Sequence, residues 1–135
     1  MRMDQNELQT LLKAQQGELD AVLMYNALAD TVRDPRDAET FRRLASEEGR
    51  HAAVFKGLTG RTLRPKKTLA TLLPVLYRIL GRKILYPVIA KFEYNAFDGY
   101  ASAAEKYPEV QSVRADEKRH GDAVSGLLKP AGKTE

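Results

Sequence analysis

The sequence predicts an all-α fold, a bundle of four helices with a long helical crossover between the second and the third. Three observations predict it. Apolar residues recur at alternating steps of three and four along four separate stretches, the spacing that collects them on one face of a helix. Alternating apolar and polar runs, the mark of strands, are scarce. The two histidines, His51 and His120, each follow a glutamate by three residues, Glu48 and Glu117. On a helix that offset lets both side chains reach one point.

The first helix opens at Asp4, a residue whose side chain can cap free backbone N–H groups, with Glu7 three residues on as in a capping box. Its seam runs Leu8, Leu11, Gln15, Glu18, Val22, Tyr25, Ala29. The second helix has Asp34 as N-cap and Pro35 at its first position, where a missing N–H costs nothing. Its seam is Phe41, Leu44, Glu48, His51, Phe55, Leu58, and Gly57 and Gly60 mark its end. The crossover follows at about residues 61–85, expected to lay Leu72, Leu76 and Ile79 on the bundle. The third helix carries Ile89, Glu93, Ala96, Tyr100 and Ala103, and Pro108 either breaks it or starts the next. The fourth reads Val110, Val113, Glu117, His120, Val124, Leu127, ending before Pro130. Residues 1–135 are thus expected as one domain, its core at about 5–128 and a short tail at 129–135.

Charge is uneven along the chain. Overall it is +4, from 22 basic and 18 acidic residues. Residues 61–91 hold eight bases and no acid, leaving 14 bases against 18 acids elsewhere, a net −4. This basic segment has two readings. One is purely architectural, the packing of a crossover. The other is a docking face for an anionic membrane surface or an acidic redox partner. No nucleic acid is expected, because no recognition motif accompanies the charge. The absence of cysteine excludes thiol chemistry, disulfides and iron–sulfur clusters and fits a cytoplasmic setting. The N-terminus shows no apolar run of a secretion signal, and no stretch of 18 uncharged apolar residues occurs.

Six ionisable residues sit on the apolar seams: Glu18, Glu48, His51, Glu93, Glu117 and His120. Four buried carboxylates without partners would be prohibitive. Two divalent metals would balance their charge, and two neutral histidines complete a nitrogen and oxygen ligand set that accepts iron or manganese. Exposed ion pairs on helix surfaces are the bland alternative, opposed by the seam positions. Glu47 and Asp116, four residues before the histidines, are alternative ligands that fall off the seam and are expected behind the layer or at the surface. Tyr25 and Tyr100, each seven residues after a seam glutamate, read as core aromatics, as redox groups, or as hydroxyls that orient a ligand carboxylate. Gln15, one turn before Glu18, is a candidate for the same orienting role. Met24 is expected to pack. The halves repeat, each with Glu, Tyr seven later, then Glu-x-x-His.

One Glu from each of two helices and Glu-x-x-His from each of the other two is the ligand set of ferritin-like di-iron and di-manganese bundles. The stretches GELDAVLMYNALAD, LASEEGRHAAVFKGL and VRADEKRHGDAVSGLL resemble the rubrerythrin branch of that superfamily, over about residues 7–128. The resemblance implies a carboxylate-bridged di-iron site, two iron ions per chain, reacting with dioxygen or hydrogen peroxide. It implies that Glu18, Glu48 and His51 serve one metal, that Glu93, Glu117 and His120 serve the other, and that Glu48 and Glu117 bridge. Manganese or a mixed pair remains open, as do ferroxidase activity, peroxide reduction, and non-catalytic iron binding, storage or sensing. An apolar shell including Val22, Phe55 and Val124 is expected to restrict water. Members form homodimers or larger homo-oligomers. Two departures stand out. Peroxidase-type rubrerythrins carry a further carboxylate one turn after the third-helix glutamate, where this chain has Ala96 and Phe97. The four cysteines of a rubredoxin-like domain are absent, so electrons must come from an external donor.

Overall fold

The structure, a computed structural model, describes residues 3–130. Six helices follow in order: α1 (Gln5–Thr31), α2 (Pro35–Thr59), α3 (Thr68–Leu80), α4 (Arg82–Gly99), α5 (Ala101–Lys106) and α6 (Pro108–Gly126). No strand occurs among the described residues. The four long helices α1, α2, α4 and α6 make the bundle, with α1 packed on α2 and α4 on α6. The two pairs are joined through α3, which crosses over and lies against α1.

Side chains cap the starts of α1 and α2. Asp4 accepts the Glu7 amide at 2.7 Å, and Asp34 accepts that of Arg36 at 2.8 Å. Glu7 does not complete a capping box. Its carboxylate takes the Tyr107 hydroxyl at 2.6 Å and Lys106, tying the start of α1 to the junction of α5 and α6. Gly60, at φ 69°, closes α2 in the left-handed conformation that glycine adopts without strain, while Gly57 lies inside the helix. The expected third helix is divided. α4 ends at Gly99, Tyr100 takes φ −89° and ψ 2°, and α5 resumes for six residues. Pro108 starts α6 at its first position, and α6 ends at Gly126, short of Pro130.

The crossover differs from the sequence reading in which face it buries. Leu73 is its buried residue, with Leu69, Leu76 and Tyr77 packed beside it on the core. Of the three expected contacts only Leu76 is made; Leu72 and Ile79 are 46% and 72% exposed. Thr68, Thr71 and Arg78 share one side of this helix and Leu69, Leu73 and Leu76 the opposite one, so its period marks the buried face and sets Leu72 and Ile79 toward the polar side. Tyr77 anchors the buried face: its ring stacks with Tyr86 at 6.5 Å and its hydroxyl accepts the Arg33 amide.

The core falls into two apolar clusters. One contains Tyr25, Leu28, Phe41, Leu44, Tyr86, Ile89 and Val124. The other contains Leu11, Phe55, Ala104, Val110 and Val113. Along every seam the ionisable residues lie between them. The crossover end is held by a fully buried Asp37, which receives Arg82 through two bonds of 2.9 Å and the Tyr86 hydroxyl at 2.6 Å. Arg82 also donates to the Leu127 carbonyl at 2.6 Å. Arg82 therefore belongs to the frame, not to a free basic face. No helix among the described residues is long and apolar enough to cross a membrane.

Replacing Asp37 with Ala would strand a partly buried guanidinium and a buried hydroxyl. The expected loss is roughly 3 kcal/mol, the low end for breaking a buried pair because Arg82 can rehydrate. Denaturant unfolding of Asp37→Ala against the parent protein measures it.

Candidate metal centre

Each of the six seam residues is at most 5% exposed. Helical spacing carries them there: Leu11 and Tyr25 flank Glu18 on α1, Leu44 and Phe55 flank Glu48 and His51 on α2, and Val113 and Val124 flank Glu117 and His120 on α6. The four helices thus deliver their carboxylates and imidazoles to a single layer between the two apolar clusters.

Within that layer, ligand atoms of Glu18, Glu48, His51 and Glu117 all lie within 4.8 Å of one another, as do those of Glu48, Glu93, Glu117 and His120. Glu48 and Glu117 belong to both groups. His51 Nδ1 stands 3.0 Å from Glu48, 3.1 Å from Glu18 and 3.2 Å from Glu117. His120 Nδ1 stands 3.3 Å from Glu48 and 3.4 Å from both Glu93 and Glu117. The two rings face each other at 5.6 Å.

The outer nitrogens are held from the opposite helix. His51 Nε2 donates to Asp116 at 2.7 Å, and His120 Nε2 donates to Glu47 at 2.8 Å. A carboxylate can only accept, so each Nε2 carries its hydrogen and each Nδ1 points its lone pair inward once the imidazole is neutral. Asp116 is itself held by Arg119. Glu47 and Asp116 thus lie behind the layer, one of the two places the sequence allowed them, and each precedes the shared glutamate of its motif. What the sequence lacked was that each acid serves the histidine of the other helix.

The tyrosines are crossed in the same way. Tyr25 of α1 donates to Glu93 of α4, and Tyr100 donates to Glu18 of α1 at 2.6 Å. Gln15 does not join them. Its amide donates to the Arg61 carbonyl at 2.8 Å and accepts Thr59 at 2.6 Å, so it anchors the chain leaving α2 instead of orienting Glu18. Phe55 and Val124 are buried beside the layer, while Val22 is only half-buried.

Protonation in the protein without metal follows from burial and charge. For His51, burial lowers the pKa, but hydrogen bonds with Glu117, Glu18 and Glu48 outweigh it and hold the imidazolium up to about 11. His120 shifts upward on the same balance, with Glu117, Glu48 and Glu93 as partners. Burial pushes Glu48 up, yet bonds from His120 and His51 bring it to about 2. For Glu93, burial and the charges of Glu48 and Glu117 prevail over the His120 bond and raise it to about 7. Glu18 is raised well above the usual range by burial and by the charge of Glu48.

Metal is what this layer fits. Buried oxygens of Glu93 and Glu117 and Nδ1 of His120 approach one another only at 3.4 Å and close no hydrogen bond of normal geometry, and all three residues belong to one of the two four-residue groups. The donors are oxygen and nitrogen in the mixture that iron and manganese accept. An open groove of about 360 Å³ between α1 and α4 reaches Glu18, Glu48, Glu93 and Glu117, with Ala21, Ala96 and Phe92 in its apolar walls.

A pH dependence follows. The folded pKa of His51 lies above its unfolded value of about 6.5, so its stabilising contribution is full below pH 6.5 and fades as pH rises through about 11. Metal-stripped protein should melt at progressively lower temperature between about pH 7 and 10. His51→Gln should flatten that slope. Thermal melts across the range measure both.

The chain matches the rubrerythrin family over residues 9–128. It is 31% identical over 132 residues to reverse rubrerythrin-1 of Clostridium acetobutylicum, an alignment covering 93% of this chain and 68% of that relative. No solved structure matches it. Together with the all-helical fold and its buried carboxylate–histidine layer, these matches show that the chain belongs to the rubrerythrin family, a branch of the ferritin-like di-iron proteins.

Proposed function

We propose that the six-residue layer holds two iron ions and that the protein reduces dioxygen or hydrogen peroxide with electrons from an external donor. One observation carries the reading: two buried four-residue ligand groups overlap in two shared carboxylates. Glu18, Glu48, His51 and Glu117 would hold one ion and Glu48, Glu93, Glu117 and His120 the other, with Glu48 and Glu117 common to both. When bound in the ferrous state, the pair supplies two electrons to the oxidant; reduction of peroxide also consumes two protons and yields two waters.

The chain's own groups set the conditions for that chemistry. Asp116 and Glu47 keep the Nε2 hydrogens in place, so both imidazoles offer Nδ1 to the layer. Tyr25 and Tyr100 restrain Glu93 and Glu18, the two carboxylates that belong to one group each. Burial and the nearby carboxylate charges push both hydroxyl pKa values far up, so the tyrosines remain donors at any physiological pH. The apolar groove between α1 and α4 gives a small oxidant a path while presenting few partners to water. Ala96 stands in its wall where peroxidase-type rubrerythrins carry their additional carboxylate, so the residues here favour neither oxidant over the other. A reducing, cytoplasmic setting suits a centre that needs an external donor.

Metal content per chain tests the reading. The parent protein should bind two ions after iron saturation. Glu48→Ala and Glu117→Ala should disturb both positions, and Glu18→Ala mainly one. Saturation at one ion per chain or fewer would refute the paired centre. Stopped-flow absorbance of the ferrous protein mixed with each oxidant then separates catalysis from storage or sensing: oxidation within seconds, repeated on adding reductant, is expected. No reaction within minutes leaves only the binding role.

A further inference from the structure

Every large apolar side chain left exposed among the described residues lies on α3 and α4, between Leu72 and Phe92. Elsewhere the bundle covers its apolar surface. On α3, Leu72, Val75 and Ile79 fall at steps of three and four, and on α4 Ile84, Val88 and Phe92 fall at steps of four. Each set forms one stripe along its helix. Ile79, at 72%, and Ile84, at 56%, are the most exposed. The two helices turn back on each other at Gly81, φ 79°, and Leu69 at the start of α3 lines the same groove as Phe92 of α4. They form a helical hairpin, its inner flank on the core and its outer flank bare.

Charge narrows what can cover that flank. Arg78, Lys83 and Lys91 adjoin the stripes in sequence and are exposed, and Arg64, Lys66 and Lys67 are exposed just ahead of α3. From residue 61 to residue 92 there is no carboxylate. Arg82 is withdrawn from this set by Asp37. A second copy packed symmetrically on the same face would set these bases against themselves with nothing to neutralise them. An acidic protein would answer the charge but would also need an apolar surface shaped to two separate stripes. An anionic lipid surface answers both, because its acyl region receives apolar side chains of any arrangement while its head groups attract the bases around them. Neither helix can span a bilayer: α3 has 13 residues and no membrane-crossing helix is present among the described residues.

We propose that the outer flank of the α3–α4 hairpin is a docking surface for an anionic lipid bilayer, on which the protein lies without crossing. The proposal is independent of metal loading and of the redox reading. Docking also sets the mouth of the groove, at Phe92, against the lipid interface.

The chain has no tryptophan, so Ile79→Trp gives a reporter free of background at the most exposed position. With the full chain in about 50 mM salt, vesicles of phosphatidylcholine and phosphatidylglycerol should shift its emission to the blue and carry the protein down on sedimentation. Pure phosphatidylcholine should bind at least ten-fold more weakly. Raising salt to about 300 mM shortens the screening length from roughly 14 to 6 Å and should release most of the protein. Arg78→Gln/Lys83→Gln/Lys91→Gln should remove the lipid preference, and Ile79→Ser/Ile84→Ser should remove binding; helical circular dichroism unchanged from the parent shows that each variant is folded. Three results would overturn the proposal: no sedimentation with anionic vesicles at low salt, equal binding to neutral vesicles, or a parent dimer that Ile79→Ser/Ile84→Ser converts to monomer in light scattering.

Discussion

Four carboxylates share the centre of an apolar bundle, and the rest of the molecule is arranged around that fact. Moving one ionised carboxylate from water into such a place costs several kcal/mol even after relaxation, and here Glu48 and Glu117 each stand within 4.8 Å of the other three. The protein without metal answers with protons. Both histidines are held as imidazolium, and burial keeps Glu18 and Glu93 from ionising at their usual pH. A metal pair, as proposed, would replace those protons with charge of the same sign, which would couple loading to proton release. The two apolar clusters on either side supply packing that does not depend on the layer's occupant.

The crossover reconciles two demands that pull in opposite directions. It must be fastened, and Asp37, Arg82 and Tyr86 fasten it through one buried ionic cluster. It must also leave open the groove between α1 and α4, which its first turn lines at Leu69 and through which the layer is reached. Packing α3 on α1 by Leu73 and Leu76 achieves this by turning Leu72 and Ile79 outward. The exposed flank follows from how the crossover is seated.

Much of the architecture was legible in the chain because seam residues report burial directly. Glu18, Glu48, His51, Glu93, Glu117 and His120 interrupt apolar repeats without breaking their period, which is enough to bring them to one layer. What stayed hidden depends on contacts between helices. Glu47 and Asp116 sit off their own seams, and only the spacing of α2 from α6 gives them a histidine. Gln15 occupies a seam position yet turns to Arg61 and Thr59, since the chain beyond α2 runs within reach of it. The break at Tyr100 carries no proline signal, whereas the face of α3 is legible in Thr68, Thr71 and Arg78 opposite Leu73, and the expectation of Leu72 and Ile79 misassigned it. Arg82 is one base among eight in its segment of the sequence, and only Asp37, 45 residues earlier, withdraws it from them.

The contacts across the layer have a consequence for how such a molecule can be divided. Tyr25 serves Glu93, Tyr100 serves Glu18, Glu47 serves His120 and Asp116 serves His51, so each half supports the ligands of the other and leaves its own unsupported. The repeat is thus an interlock, not two tandem units. A lone α1–α2 hairpin would own a glutamate, a Glu-x-x-His and a tyrosine, yet none of the braces between halves. It could regain those braces only by pairing with a second hairpin of the same kind. In this chain, a change on one side of the layer is felt first on the other.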